Sequence, residues 1–248
     1  MFVVRHFRAA CRSRTSMSTV QTLLTAEEYF RLPDDGRRTE LVRGRMIEMS
    51  RPGGIRGRVC ARIVYRMEAY RQEHDTGHVL SNDTGIITER GPDTVRGADV
   101  CWISYARLPK QMLPEGYPDV APNLVYEVRS PNDRWPAIRV KIEEYLACGV
   151  EFVVVVDPQR QNVRVYTPDE PDTILQGDDV LEFPQLLTRF LSPCTTDFRM
   201  TPNDAGLLQH QTAPTRATNV VRRAALPCRL RACSHCMIAE GEEAQRCP

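Results

Sequence analysis

Phe152-Val153-Val154-Val155-Val156 is the stretch that most narrows what this chain can fold into. Five apolar residues without alternation mark a strand covered on both faces, the position of a central strand in a layered α/β domain. Such a strand needs strand neighbours at its edges and further structure above and below. The residues before it read as a helix, with Pro136 in the first turn and Gly149 past the end. Ile138, Lys141 and Tyr145 share one face of that helix, and two apolar neighbours make it the face to be buried. After the run, Asp157-Pro158 ends the strand, a hairpin-like turn leads to Asn162, and residues 162–167 alternate as an edge strand does. Val180 to Phe183 adds a short strand.

The N-terminal half supplies the rest of the layers. Thr25 and Glu28 have capping-box spacing and open a short helix that ends near Leu32-Pro33. Leu41-Val42 and Met46-Ile47, with Gly44 between, read as a hairpin whose first strand opens at Glu40. Pro52-Gly53-Gly54 breaks the chain, and 56–74 reads as a helix with Val59, Ile63, Met67 and Tyr70 as its core stripe. Arg58, Arg62 and Arg66 form a second stripe, either a solvated face or a row of phosphate contacts. Strands follow at 79–88 and around Asp99, then a Pro- and Gly-rich loop at 107–122, then a strand around Glu127 stopped by Ser130-Pro131-Asn132-Asp133. Taken together this is an α/β sandwich around a mixed sheet.

A length of 248 residues suits one domain with tails. Residues 1–20 are basic and Ser-rich and lack acids; they resemble a transit peptide, or are an unstructured extension ahead of a start at Met17. The domain is expected over 21–199. Residues 200–248 are polar with no apolar period and are expected to be disordered. The tail holds one CxxC, Cys233-Ser234-His235-Cys236, which is half a zinc site without a second half at a usual spacing. Nine cysteines at irregular intervals do not make a disulfide framework, and Cys60, Cys101 and Cys148 fall in core elements, so a reduced, cytoplasmic setting is expected. No apolar run is long enough to span a membrane. The net charge of +1 gives no general argument for nucleic-acid binding.

The functional signal lies in charges placed where apolar residues belong. Asp99 leads into Val100-Cys101-Trp102-Ile103, and Glu127 sits within Leu124-Val125-Tyr126 and Val128. A carboxylate inside an apolar strand is costly unless something pairs with it. Lys141 lies on a buried helix face in the same way. Two acids and one lysine so placed suggest one shared site. They also admit a purely structural account, with Glu127 and Lys141 as a buried ion pair and Asp99 as a strand-end turn acid.

Four stretches then carry a resemblance: TAEEYFRLPDDGRRTELVRGRMIEMS, RGADVCWI, APNLVYEVRSPNDRW and KIEEYLACGVEFVVVVDP. In this order, over about Leu23 to Phe198, they resemble the Uma2-type endonucleases of the PD-(D/E)xK, restriction-endonuclease-like superfamily. The resemblance implies a restriction-endonuclease-like mixed β-sheet core flanked by helices. It implies catalytic roles for Asp99, Glu127, Lys141 and Glu40. Mg²⁺ or Mn²⁺ would be held by Asp99, Glu127 and the Val128 carbonyl. The motif's lysine is expected two residues after Glu127, where Arg129 stands; Lys141 resembles one moved to the following helix. Arg56 stands where the family often has a His, which puts the role of that position in question. DNA is the implied partner, and a homodimer is left open. The expected activity is metal-dependent hydrolysis of DNA phosphodiester bonds. The alternatives are a nuclease-fold protein that binds nucleic acid or a partner protein without cutting, and a zinc-binding adaptor built on the tail.

Overall fold

The computed structural model describes residues 23–193; the extension at 1–20 and the expected tail at 200–248 with its CxxC lie outside the described residues. Helix α1 (Ala26–Phe30) starts at a capping box, in which the Thr25 hydroxyl accepts from the Glu28 N–H at 3.1 Å and the Glu28 carboxylate accepts from the Thr25 N–H at 2.9 Å. Strands β1 (Thr39–Val42) and β2 (Arg45–Glu48) form the expected hairpin. Its two-residue turn places Arg43 at φ +49° and Gly44 at φ +73°, the left-handed pair that suits the twist of the flanking strands.

Helix α2 (Gly54–His74) buries Val59, Ile63, Met67 and Tyr70, the stripe read from the sequence. The stripe of Arg58, Arg62 and Arg66 is half-buried rather than fully solvated. Strands β3 (Gly77–Glu89) and β4 (Thr94–Ser104) form a long antiparallel hairpin. Strand β5 (Leu124–Val128) runs antiparallel to β4. Helix α3 (Trp135–Ala147) then carries the chain to β6 (Phe152–Asp157), which lies parallel to β5. Strands β7 (Asn162–Tyr166) and β8 (Thr173–Gln176) extend the sheet beyond β6. The eight-stranded sheet has the order β2-β1-β4-β5-β6-β7-β8, with β3 paired to β4. It is a mixed sheet with few helices, the α/β architecture expected.

One feature departs from the sequence reading: the 162–167 segment is not an edge, because β8 pairs along β7. The expected 180–183 strand is present as β9 (Val180–Phe183) and pairs with β10 (Leu187–Pro193) in a separate two-stranded ribbon. That ribbon packs Phe183, Leu187 and Phe190 into the core on the α2 side, where Phe190 meets Tyr70 edge-on at 5.6 Å.

The core lies on both faces of the sheet. On one face, Val59, Ile63 and Met67 pack on Val100, Trp102, Tyr126, Val128, Val154 and Val156. On the other, Ile138, Ile142 and Tyr145 pack on Ala98, Cys101, Val125, Val153 and Val155. Alternation along β6 accounts for the doubly apolar run: Val154 and Val156 serve α2, and Val153 and Val155 serve α3.

Strand β4 breaks this regularity where it matters. Ser81 pairs with Val100 and Thr84 with Ala98, so Asn82 and Asp83 together oppose Asp99. Both bulge residues are left-handed, at φ +63° and φ +57°. The bulge upsets the alternation, so that Ala98 and Cys101 pack on the α3 side while Val100 packs on the α2 side. Strand β4 is also shared. One edge pairs with β3 throughout, whereas the other meets β1 at Val95 and then β5 from Val100 to Trp102. Between these two pairings, among the described residues, 96–99 carry no ladder partner on that edge.

Candidate active site

The gap between β1 and β5 is where the charged residues meet. Glu40 comes from β1, Arg96 and Asp99 from β4, Glu127 from β5, Arg56 from the first turn of α2, and Lys141, Glu144 and Tyr145 from α3. Glu40 is 3% exposed and turns one oxygen to the Gly97 N–H at 3.3 Å, capping a backbone donor in the unpaired stretch.

Lys141 reaches in from α3, with its side chain 12% exposed. Its Nζ lies 2.6 Å from Glu40 Oε1 and 3.6 Å from Glu127 Oε1. Glu40 also accepts from Arg96 Nη1 at 2.9 Å, and Arg96 forks onto Glu144 at 2.5 and 2.9 Å. Burial opposes the charge on Glu40, but Lys141 and Arg96 outweigh it and hold its pKa below the usual value. The Lys141 pKa is raised: burial works against its charge, and Glu127 and Glu40 overcome that.

Glu127 is different. Its Oε1 accepts from the Tyr145 hydroxyl at 2.8 Å, and among the described residues no cation stands closer than Lys141. Burial pushes its pKa up to about 7, Lys141 and Tyr145 hold the rise in check, and the negative charges of Asp99 and Glu40 add to it. This is a carboxylate short of positive charge.

Asp99 is fully engaged. Arg56 grips it with Nε at 3.1 and 3.2 Å from the two oxygens and Nη2 at 2.7 Å from Oδ1. The Val128 N–H donates to Oδ2 at 2.7 Å. Cys60 lies one turn further along α2, and burial, followed by the charge of Asp99, pushes its thiol up to about 12. Across the bulge, Arg38 of the segment leading into β1 pairs with Asp83.

Arg129, at the place where the family motif has lysine, points elsewhere. It bonds Asp157 at 2.7 Å, donates to the Asp133 carbonyl at 3.2 Å and lies over the Trp135 ring at 5.3 Å. The cation beside Glu127 therefore comes from the helix, not from the strand.

The donor set suits a hard divalent ion in type: two carboxylates and a carbonyl oxygen. The elevated Glu127 pKa fits such an ion too, since a cation there would relieve uncompensated negative charge. Among the described residues, no three His, Cys, Asp or Glu side chains gather into a metal-binding set. Of the ligands the sequence suggested for an ion, Asp99 already carries the Arg56 fork.

Four participants went unread in the sequence as site residues: Arg96, Glu144, the Tyr145 hydroxyl and the Arg56 fork. Signals existed for two of them. Arg96 stands three residues before Asp99 in an otherwise apolar strand, and Glu144 lies three residues after Lys141 on the same helical face.

No helix among the described residues is long and apolar enough to cross a membrane, and Cys60, Cys101 and Cys148 are free thiols. Comparison with solved structures finds a protein from Anabaena variabilis ATCC 29413, described as a putative nuclease belonging to DUF820. It matches with a TM-score of 0.62 at 18% identity, covering 71% of this chain and 97% of that one. At that identity the likeness establishes a shared, nuclease-like fold. No curated protein matches the chain. The family model described as "Uma2: Putative restriction endonuclease" matches residues 26–195, from the first residue of α1 to just past β10 and across the whole charged cluster. With well over half of its length matched, the chain belongs to the Uma2 family of putative restriction endonucleases.

Proposed function

We propose that this protein is a metal-dependent endonuclease that hydrolyses DNA phosphodiester bonds at the β1–β5 gap. One observation carries the reading. Lys141 is brought from α3 to within 3.6 Å of Glu127 while Arg129, at the usual lysine position, is committed to Asp157. A buried lysine beside a charge-poor carboxylate is an arrangement suited to chemistry on an anionic substrate.

Asp99, Glu127 and the Val128 carbonyl would hold Mg²⁺ or Mn²⁺. When bound, the ion supplies positive charge at the phosphate and a more acidic water. The protein's own groups do the rest. Lys141 faces the oxygen on which negative charge grows, or orients the attacking water. Glu40, fixed by Arg96, steadies the Lys141 ammonium. Tyr145 holds the Glu127 carboxylate in one rotamer.

A second reading is a nuclease-fold protein that binds nucleic acid or a partner protein without cutting. The Arg56 fork favours it, because both oxygens of Asp99 are already taken.

The test is cleavage of single- and double-stranded DNA with Mg²⁺ by wild type, Asp99→Ala, Glu127→Ala and Lys141→Ala, alongside calorimetric Mn²⁺ titration. The two acid variants should lose ion binding and cleavage together. Lys141→Ala should keep or tighten ion binding while turnover falls at least about tenfold, because the loss is in transition-state stabilisation. Mn²⁺ binding that is unchanged in both acid variants, with only stability lost in Lys141→Ala, would show a structural ion pair instead. DNA binding without cleavage in wild type would favour the second reading.

A further inference from the structure

We propose that Arg56 is an internal rival of the divalent ion for Asp99, so that the ion binds by displacing the guanidinium. This rests on the reading of Asp99 and Glu127 as the ion's carboxylates.

The guanidinium occupies the ground an ion would need. It is bidentate on Asp99, both groups are buried, at 8% and 7% exposure, and its charge is favoured by Asp99, Glu127 and Asp83 together. A planar fork on a carboxylate uses the lone pairs that an inner-sphere ion would use. Two cations cannot share that carboxylate at close range without strong repulsion.

The setting of Arg56 is also one that can let go. It lies in the first turn of α2, where the backbone N–H groups carry partial positive charge and a cation is disfavoured. That turn has no acidic residue and no side-chain cap. Gly53, Gly54 and Gly57 surround it, and a Cβ built on any of them would meet nothing within 4 Å. Asp99 therefore holds Arg56 in place against the helix dipole, and the turn that carries it has open space around it.

The experiment is Mn²⁺ titration by calorimetry on the full chain after chelator treatment, for wild type, Arg56→Gln, Arg56→Lys, Asp99→Asn and the double variant Arg56→Gln/Asp99→Asn. Thermal unfolding with and without Mn²⁺ accompanies each titration. Arg56→Gln should bind Mn²⁺ at least about tenfold more tightly than wild type and gain more thermal stability from it. Arg56→Lys, which keeps the charge but loses the fork, should show a smaller gain in the same direction. The gain should vanish in the double variant. If Arg56→Gln does not fold without metal, Arg56→Lys carries the comparison. Equal or weaker Mn²⁺ binding in the Arg56 variants, with wild-type binding still lost in Asp99→Asn, overturns the rivalry and leaves the metal reading standing. No binding that depends on Asp99 in any variant overturns both.

Discussion

Glu127 shows how far a single residue can be read. Its place in an apolar strand marked it as a buried acid in need of a partner, and Lys141, three residues after a buried isoleucine, marked itself in the same way. What the pattern could not say is how charge is shared among them. Lys141 is closer to Glu40 than to Glu127, and Arg96 balances Glu40 a second time. Glu127 is left undercompensated, with its pKa raised from 4.5 to about 7. In the unfolded chain it ionises near 4.5, so between that value and 7 the native state holds more protons. The stability this confers is complete below about pH 4.5 and is lost as pH rises through 7. Glu127→Gln keeps a carbonyl acceptor for Tyr145 and removes the charge. In metal-free buffer it should therefore gain stability relative to wild type as pH rises from about 5 to about 8, by on the order of 2 kcal/mol. Chemical denaturation of both proteins across that range measures it. An unchanged difference at the two ends would mean that Glu127 is ionised throughout.

At the scale of elements, strong periods were legible and weak ones were not. Helix α2 announced itself through Val59, Ile63, Met67 and Tyr70, and β6 through its valines. Strand β8 has four residues with Leu175 alone buried, which is too little pattern to separate from a loop, and so β7 passed for an edge. The bulge opposite Asp99 was invisible for another reason. Asn82-Asp83 reads as a polar stretch inside a strand, and only the register with β4 shows two residues facing one. Gly77 stands at the head of β3, just past the end of α2. A Cβ there would lie 2.5 Å from the Ile103 carbonyl oxygen and 2.6 Å from the Trp102 ring, a clash with backbone and a buried indole that cannot easily yield. Gly77→Ala should cost about 1–3 kcal/mol in unfolding free energy, measured by urea denaturation, by forcing the α2 side of the sheet apart.

For the whole molecule, the layered α/β class followed from one doubly buried strand with a helix directly before it and a longer one earlier in the chain. The strand order did not, since nothing local says that β1 and β5 share an edge of β4. The described core closes on itself, with the β9–β10 ribbon sealing the α2 face through Phe183, Leu187 and Phe190. We therefore expect residues 21–199 alone to fold, with a thermal transition within a few degrees of that of the full chain. A large fall in that transition would show that the flanking segments contribute to the core.

The split edge of β4 also has a bearing on how the protein comes into being. Glu40, Asp99, Glu127 and Lys141 arrive from segments up to about a hundred residues apart, and the full cluster forms only once both β1 and β5 have docked on the same strand. Contacts of such long range are slow to form, because the closure entropy of the intervening loops must be overcome first. A chain synthesised only as far as Arg134 already has all three acids but lacks the lysine and the tyrosine that complete the cluster. A nascent or truncated copy that ends there would hold Glu40, Asp99 and Glu127 without the lysine and tyrosine that meet Glu127 in the folded protein.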